Sequence, residues 1–150
     1  MDDLAFLRER IESYADYTND DRRRLADEQI RAYVGEALSR VLERLQPSGS
    51  PGEALARVLL RCQFADQIVV RALDLAEPND SEIASIHAVD RDLVGLADRG
   101  DTVEATAVGT YAAQIDVAFD RRRQIITSGA AATSQAPPTG FVDHRPENSV

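Results

Sequence analysis

The 150-residue sequence contains no lysine and no tryptophan, and Cys62 is its only cysteine. Because all 17 strongly basic side chains are arginine, the sequence excludes a lysine Schiff base, a P-loop lysine and a lysine general base. One cysteine cannot form an internal disulfide bond. Since Cys62 falls on an apolar stripe without a basic neighbour, we expect it to be an inert core residue.

Aromatic residues are also scarce, at 5% of the chain. The core must therefore be built from leucine, valine, isoleucine and alanine. Alanine-rich faces allow helices to approach one another closely, whereas sheets favour more β-branched and aromatic residues. This composition predicts an all-α protein.

Positive charge is in deficit, because the formal net charge is -9. Such an acidic chain lacks the dense basic surface that non-specific binding to DNA or RNA requires, so we expect no nucleic-acid partner. The most apolar stretch, residues 55–75, is interrupted by charged side chains, and we expect no membrane span. The opening Met1-Asp2-Asp3 has no signal-peptide character, which makes the cytoplasm the expected location.

Hydrophobic spacing and helix-end signals predict an up-and-down bundle of about five helices. The predicted helices cover residues 3–17, 20–46, 51–77, 80–99 and 102–126. Capping boxes are predicted at the last three starts, in the pairs Ser50 with Glu53, Asn79 with Glu82, and Asp101 with Glu104. A glycine past a helix end commonly adopts a left-handed backbone, and this is the predicted role of Gly100.

The composition changes at Thr127, beyond which Ser, Ala, Gln, Pro and Gly dominate. We therefore expect residues 1–126 to form the helical bundle and residues 127–150 to be a disordered tail. The apolar pair Phe141-Val142 could be a short docking motif within that tail. The alternative is a tail that only improves solubility.

The predicted third helix is apolar on two faces. Its second apolar face carries Leu60, Phe64, Ile68 and Leu75. One interpretation is a central helix that helix 1 covers on this side. The other is a surface for a protein partner, most simply a second copy of the chain in a homodimer.

Acidic side chains fall on predicted core faces, which is unusual for a helical bundle. Asp90 lies within the apolar arc of the fourth helix with His87 at its edge, Asp66 lies at the margin of the third, and Asp27 faces the core from the second. Asp66, His87 and Asp90 could form a metal site. The alternative is that each acid is paired with an arginine, for which Arg122 is a candidate counter-charge.

Two arginine triplets are predicted to lie at the same end of the bundle. They are Arg22-Arg23-Arg24 and Arg121-Arg122-Arg123. Together they could bind a phosphate or carboxylate. Because acidic residues should gather at that end too, mutual neutralisation is the competing interpretation.

No segment carries a catalytic or cofactor-binding motif, so we expect no cofactor and favour a non-enzymatic protein. The sequence is best interpreted as a helical protein-interaction module that self-associates, with the tail as a tether or docking peptide. The alternative is a small-molecule or metal-binding sensor that uses Asp66, His87 and Asp90.

Overall fold

The computed structural model describes residues 2–135, with side chains described as far as Gly129. Over this range the chain forms a bundle of α-helices without strands, which confirms the predicted all-α class. The helices are α1 (Asp3–Arg10), α2 (Arg23–Leu45), α3 (Gly49–Gln63), α4 (Gln67–Leu75), α5 (Asp80–Asp98) and α6 (Val108–Gln135). Helix α6 packs against α3, α4 and α5, while α2 packs against α3 and α5, and α1 packs against α5.

The core is aliphatic, as the composition predicts. Its fully buried side chains include Ile30, Leu38, Leu55, Leu93 and Ile115, which come from α2, α3, α5 and α6. Cys62 is also buried and lies against Gly35 of α2. A Cβ atom at Gly35 would lie 3.1 Å from the Cys62 Cβ. No helix within residues 2–135 is long and apolar enough to cross a membrane.

The first helix is shorter than predicted, because α1 ends at Arg10 rather than at Tyr17. In the loop that follows, Ser13, Asp16 and Tyr17 adopt left-handed backbone conformations, with φ of 57°, 55° and 67°. Such conformations are costly for residues other than glycine and persist only where surrounding contacts hold them. Gln29 of α2 provides such contacts, since it accepts from the Ala15 N–H at 2.8 Å and donates to the Ser13 carbonyl at 3.0 Å.

The predicted third helix is two helices. Residues 64–66 separate α3 from α4, and the backbone of Phe64 and Asp66 is extended there. The Asp66 carboxylate accepts from the Ile68 and Val69 backbone N–H groups at 3.0 and 3.4 Å, so it caps a new helix N-terminus. The prediction of one continuous helix over residues 51–77 is wrong because this side chain satisfies donors that an unbroken helix would satisfy internally.

One of the three predicted capping boxes is confirmed. Asn79 and Glu82 exchange both reciprocal hydrogen bonds, at 2.8 and 2.9 Å. The box predicted at Ser50 is absent because α3 already begins at Gly49 after a Ser48 N-cap that makes no side-chain cap hydrogen bond. The box predicted at Asp101 is also absent, since residues Arg99–Thr102 and Ala105–Ala107 are short 3-10 turns before α6.

Gly100 does not have the left-handed backbone that its predicted role required. It lies in the 3-10 turn Arg99–Thr102, where space rather than backbone freedom explains the glycine. A Cβ at this position would lie 2.9 Å from the Tyr111 hydroxyl and 3.0 Å from the Val41 Cγ2 atom.

Helix α6 extends past the predicted end at residue 126 and continues to Gln135. Thr127 is within the helix and its hydroxyl donates to the Arg123 carbonyl at 2.8 Å. Alanine has the highest helix propensity of all residues, and the run of alanines from residue 130 favours continuation of the helix. Phe141, Val142 and the rest of the predicted tail beyond Gln135 lie outside the described residues.

Candidate functional site

An apolar surface lies across the junction of α3 and α4. Leu60, Phe64, Ile68 and Leu75 are 53%, 68%, 56% and 58% exposed. They account for four of the seven exposed large hydrophobic side chains among the described residues. The prediction that helix 1 covers this face is wrong, because α1 packs against α5. We call these four side chains the α3–α4 stripe.

The α3–α4 stripe crosses the helix break. Leu60 lies on α3, Phe64 is its C-cap, and Ile68 and Leu75 lie on α4, and all four side chains are exposed. Arg57 and Arg71 are exposed on the same two helices, one turn from Leu60 and from Ile68. Neither arginine makes an ion pair with any side chain described up to residue 129. The stripe is therefore apolar with a basic margin.

A second unusual feature is a polar cluster inside the bundle, formed by Tyr14, Tyr17, Asp27, Asp90 and Arg122. Arg122 of α6 donates from Nε to Asp90 of α5 and from Nη1 to Asp27 of α2, both at 2.7 Å, and from Nη2 to the Tyr17 hydroxyl. The Tyr14 hydroxyl donates to the second Asp90 oxygen at 3.0 Å. We call this group the polar core cluster.

Two further residues hold the polar core cluster in place. Arg31 donates from Nε to the second Asp27 oxygen at 2.9 Å, one helical turn along α2. His87 lies against both tyrosine rings, and its Nε2 is 2.9 Å from the Asp16 carbonyl oxygen. His87 therefore fixes the loop that delivers Tyr14 and Tyr17 to the cluster.

The two buried carboxylates of the cluster have opposite pKa shifts. Burial raises the pKa of Asp27, but ion pairs and hydrogen bonds with Arg122 and Arg31 outweigh it and leave the pKa below its usual value. Asp90 is fully buried, and this desolvation raises its pKa above the usual value although Arg122 and the tyrosines oppose it. All three Arg122 nitrogens are engaged within the cluster, so its immediate chemistry is structural.

The structure assigns the predicted metal ligands to separate sets of contacts. Asp66 caps α4 and accepts from Arg123 at 2.6 Å, His87 contacts the Asp16 carbonyl, and Asp90 belongs to the polar core cluster. No group of three or more metal-ligating side chains occurs in the part of the chain that the structure describes. The hydrogen bonds of Arg122 to Asp90 and Asp27 support its predicted role as their counter-charge.

The arginine triplets are engaged one side chain at a time. Arg23 donates to the Ala76 carbonyl at 2.5 Å, Arg24 pairs with Asp74, Arg121 with Asp92 and Arg123 with Asp66. Arg122 is buried in the polar core cluster, and Arg22 is exposed. Carboxylates or carbonyls therefore hold five of the six guanidinium groups predicted to form an anion site.

Sequence reasoning missed the two tyrosines of the cluster. The predicted helix over residues 3–17 places both tyrosines within regular helix. The nearest sequence signal of a helix break is the polar segment Thr18-Asn19-Asp20, which follows Tyr17.

Comparison of the chain with known protein families, curated proteins and solved structures finds no match. The α3–α4 stripe and the polar core cluster are therefore the features of the protein that bear on its function.

Proposed function

We propose that this protein is a helical protein-binding module that self-associates through the α3–α4 stripe. The observation that carries this proposal is the exposure of four large apolar side chains on α3, α4 and the segment between them. Exposed apolar patches of this kind, bordered by polar residues, are typical of protein interfaces.

The composition of the stripe favours a second copy as the occupant. A two-fold axis near Ile68, within the stripe, brings the apolar side chains of the two copies together, because an isologous interface uses the same surface on both subunits.

The size of the stripe predicts a weak dimer. Removing the remaining exposed area of each side chain from water contributes about 1 kcal/mol, or on the order of 8 kcal/mol for both copies. The loss of translational and rotational freedom opposes this with a cost of about 4–15 kcal/mol. At the lower end of that cost the net free energy of association is about -4 kcal/mol, which corresponds to a dissociation constant of about 1 mM.

Sedimentation velocity over about 10 μM to 1 mM protein tests self-association in that affinity range. The wild-type weight-average mass should rise toward that of a dimer. Ile68→Glu places a charge at the proposed two-fold axis and should keep the protein monomeric throughout. Circular dichroism and thermal unfolding of each variant check that the bundle remains folded.

Val117→Glu is the matched control, because Val117 is 64% exposed but lies in a groove between α5 and α6 beside Phe6 and Leu96. This variant should dimerise like the wild type. A wild-type protein that stays monomeric at the highest concentration would contradict the proposal, as would equal losses in the two variants.

The tail can be tested in the same experiment. We propose that residues 136–150, which include Phe141 and Val142, act as a tether or docking peptide outside the dimer contact. Deleting them should leave the proportion of monomer and dimer unchanged. A loss of dimer would assign self-association to the tail instead of the stripe.

A further inference from the structure

A cavity of about 240 Å³ opens at the break between α3 and α4 and is bounded by α2 and α6 as well. Its walls include four arginines, Arg31, Arg61, Arg122 and Arg123, and two carboxylates, Asp27 and Asp66. Two residues of the segment that separates α3 from α4, Phe64 and Asp66, belong to its wall.

Several guanidinium N–H groups in the wall have no acceptor among the side chains and carbonyls described up to residue 129. Arg31 is largely buried, and it uses Nε for Asp27 and Nη1 for the Cys62 carbonyl, so that its Nη2 remains. Arg61 uses only Nη1, which donates to Asp116 and Asp120, and its Nε and Nη2 remain. Unsatisfied donors on a partly buried cation favour the binding of an anion.

The donors of the wall fit a single carboxylate. Asp66 is paired with Arg123, Asp90 with Arg122, and Asp27 with both Arg122 and Arg31. Arg61 is paired with Asp116 and Asp120 through Nη1 alone, and the side chains of these two acids are about half exposed and screened by water. The remaining N–H groups of Arg61 and Arg31 can therefore bind one carboxylate, which suits a monoanion better than a dianion.

Part of the cavity wall is apolar. Phe119 lies beneath the Arg61 guanidinium, whose Cζ is 5.3 Å from the ring centroid, and Val69 and the exposed Phe64 complete this side. At about 30 Å³ per water, the cavity holds on the order of eight water-sized groups. That is the size of a small aromatic or branched aliphatic acid.

We propose that this cavity binds a small organic monocarboxylate with an apolar body. The carboxylate accepts hydrogen bonds from Arg61 and Arg31, and the apolar body packs between Phe64 and Phe119. Phe64 belongs both to this cavity and to the α3–α4 stripe, whereas Arg61 and Arg31 belong to the cavity alone.

Isothermal titration with benzoate, benzamide and inorganic phosphate tests the charge and the shape of the site. Benzoate should bind, whereas benzamide, which has the same shape without the charge, should bind at least about tenfold more weakly. Phosphate lacks the apolar body and should also bind weakly. Tighter binding of phosphate than of benzoate overturns the proposal, as does equal binding of benzoate and benzamide.

Arg61→Gln should weaken benzoate binding by about tenfold or more, since it removes the guanidinium donors that bind the carboxylate. Arg57→Gln, one turn earlier on α3 and exposed, is the matched control and should bind benzoate like the wild type. Amide chemical shifts of residues around Phe119 and Val69 should move on titration in both the wild type and Arg57→Gln. The absence of binding at about 10 mM benzoate, or equal losses in the two variants, overturns the assignment.

Discussion

At the scale of single residues, Asp27 is a buried carboxylate whose environment favours its charged form. It is 2% exposed and receives hydrogen bonds from Arg122 and Arg31, which hold its pKa below the usual value against the opposing effect of burial. An acid with a lowered folded-state pKa stabilises the fold above its unfolded pKa of about 3.9 and loses that contribution as the pH falls through the folded value.

Asp27→Asn should therefore flatten the acid end of the stability profile. At neutral pH we expect a loss of about 3 kcal/mol, because Arg122 keeps Asp90 but loses a charged acceptor. Below about pH 4 the difference from the wild type should shrink, since protonation removes the same charge there. Urea unfolding between pH 7 and pH 3 measures both effects.

Asp74→Asn is the control for Asp27→Asn. The hydrogen bond and charge of Arg24 also lower the pKa of Asp74, but this pair is exposed to solvent, so its removal should change stability little at any pH. A constant difference between Asp27→Asn and the wild type from pH 7 to pH 3 would show that the charge of Asp27 contributes nothing.

The residues of the polar core cluster were predictable in part. Asp27, Asp90 and Arg122 could be placed near one another, because acids on apolar helical faces need a counter-charge and the connectivity brings the helices together. Tyr14 and Tyr17 could not be predicted. Their positions depend on left-handed backbone at Ser13, Asp16 and Tyr17, in a loop that long-range contacts with Gln29 and His87 help to stabilise.

At the scale of helices, the local sequence determined some ends and not others. The Asn79–Glu82 box is local chemistry and formed as predicted. The break at residues 64–66 combines the local Asp66 cap with a long-range contact, because Arg123 of α6 donates to the same carboxylate at 2.6 Å and no local pattern contains that contact. Fold class was therefore predictable from composition and periodicity, whereas this break and the cavity beside it were not.

The two helix starts at Asn79 and Ser48 offer a direct test of local capping. Asn79→Ala removes an acceptor that binds the Glu82 N–H at 2.8 Å and should cost about 1 kcal/mol. Ser48→Ala should be close to neutral, because Ser48 makes no side-chain cap hydrogen bond. Chemical denaturation of the two variants gives the comparison, and equal losses would mean that the hydrogen bond of the capping box does not stabilise α5.

At the scale of the whole molecule, Arg122 joins parts of the chain that are far apart in sequence. Its three nitrogens contact the loop after α1, α2 and α5, through Tyr17, Asp27 and Asp90. The aliphatic core contacts are non-directional and tolerate small shifts between helices. The Arg122 hydrogen bonds are directional, and they therefore set the relative positions of four elements at once.

Two adjacent arginines should consequently behave very differently. Arg121→Leu removes an exposed pair with Asp92 and should cost less than about 1 kcal/mol. Arg122→Leu leaves buried acceptors without their donor and should cost about 3–5 kcal/mol, which lowers the melting temperature by on the order of 10 °C. Differential scanning calorimetry of both variants measures the contrast.

The expected cost of Arg122→Leu lies at the lower end of that range for a physical reason. Asp27 retains Arg31, and the raised pKa of Asp90, which follows from its burial, allows it to take up a proton. The double variant Arg122→Leu with Asp90→Leu should then recover part of the lost stability, because it removes the stranded carboxylate as well. Additive losses in the double variant would show that the two side chains contribute independently, contrary to their hydrogen bond at 2.7 Å.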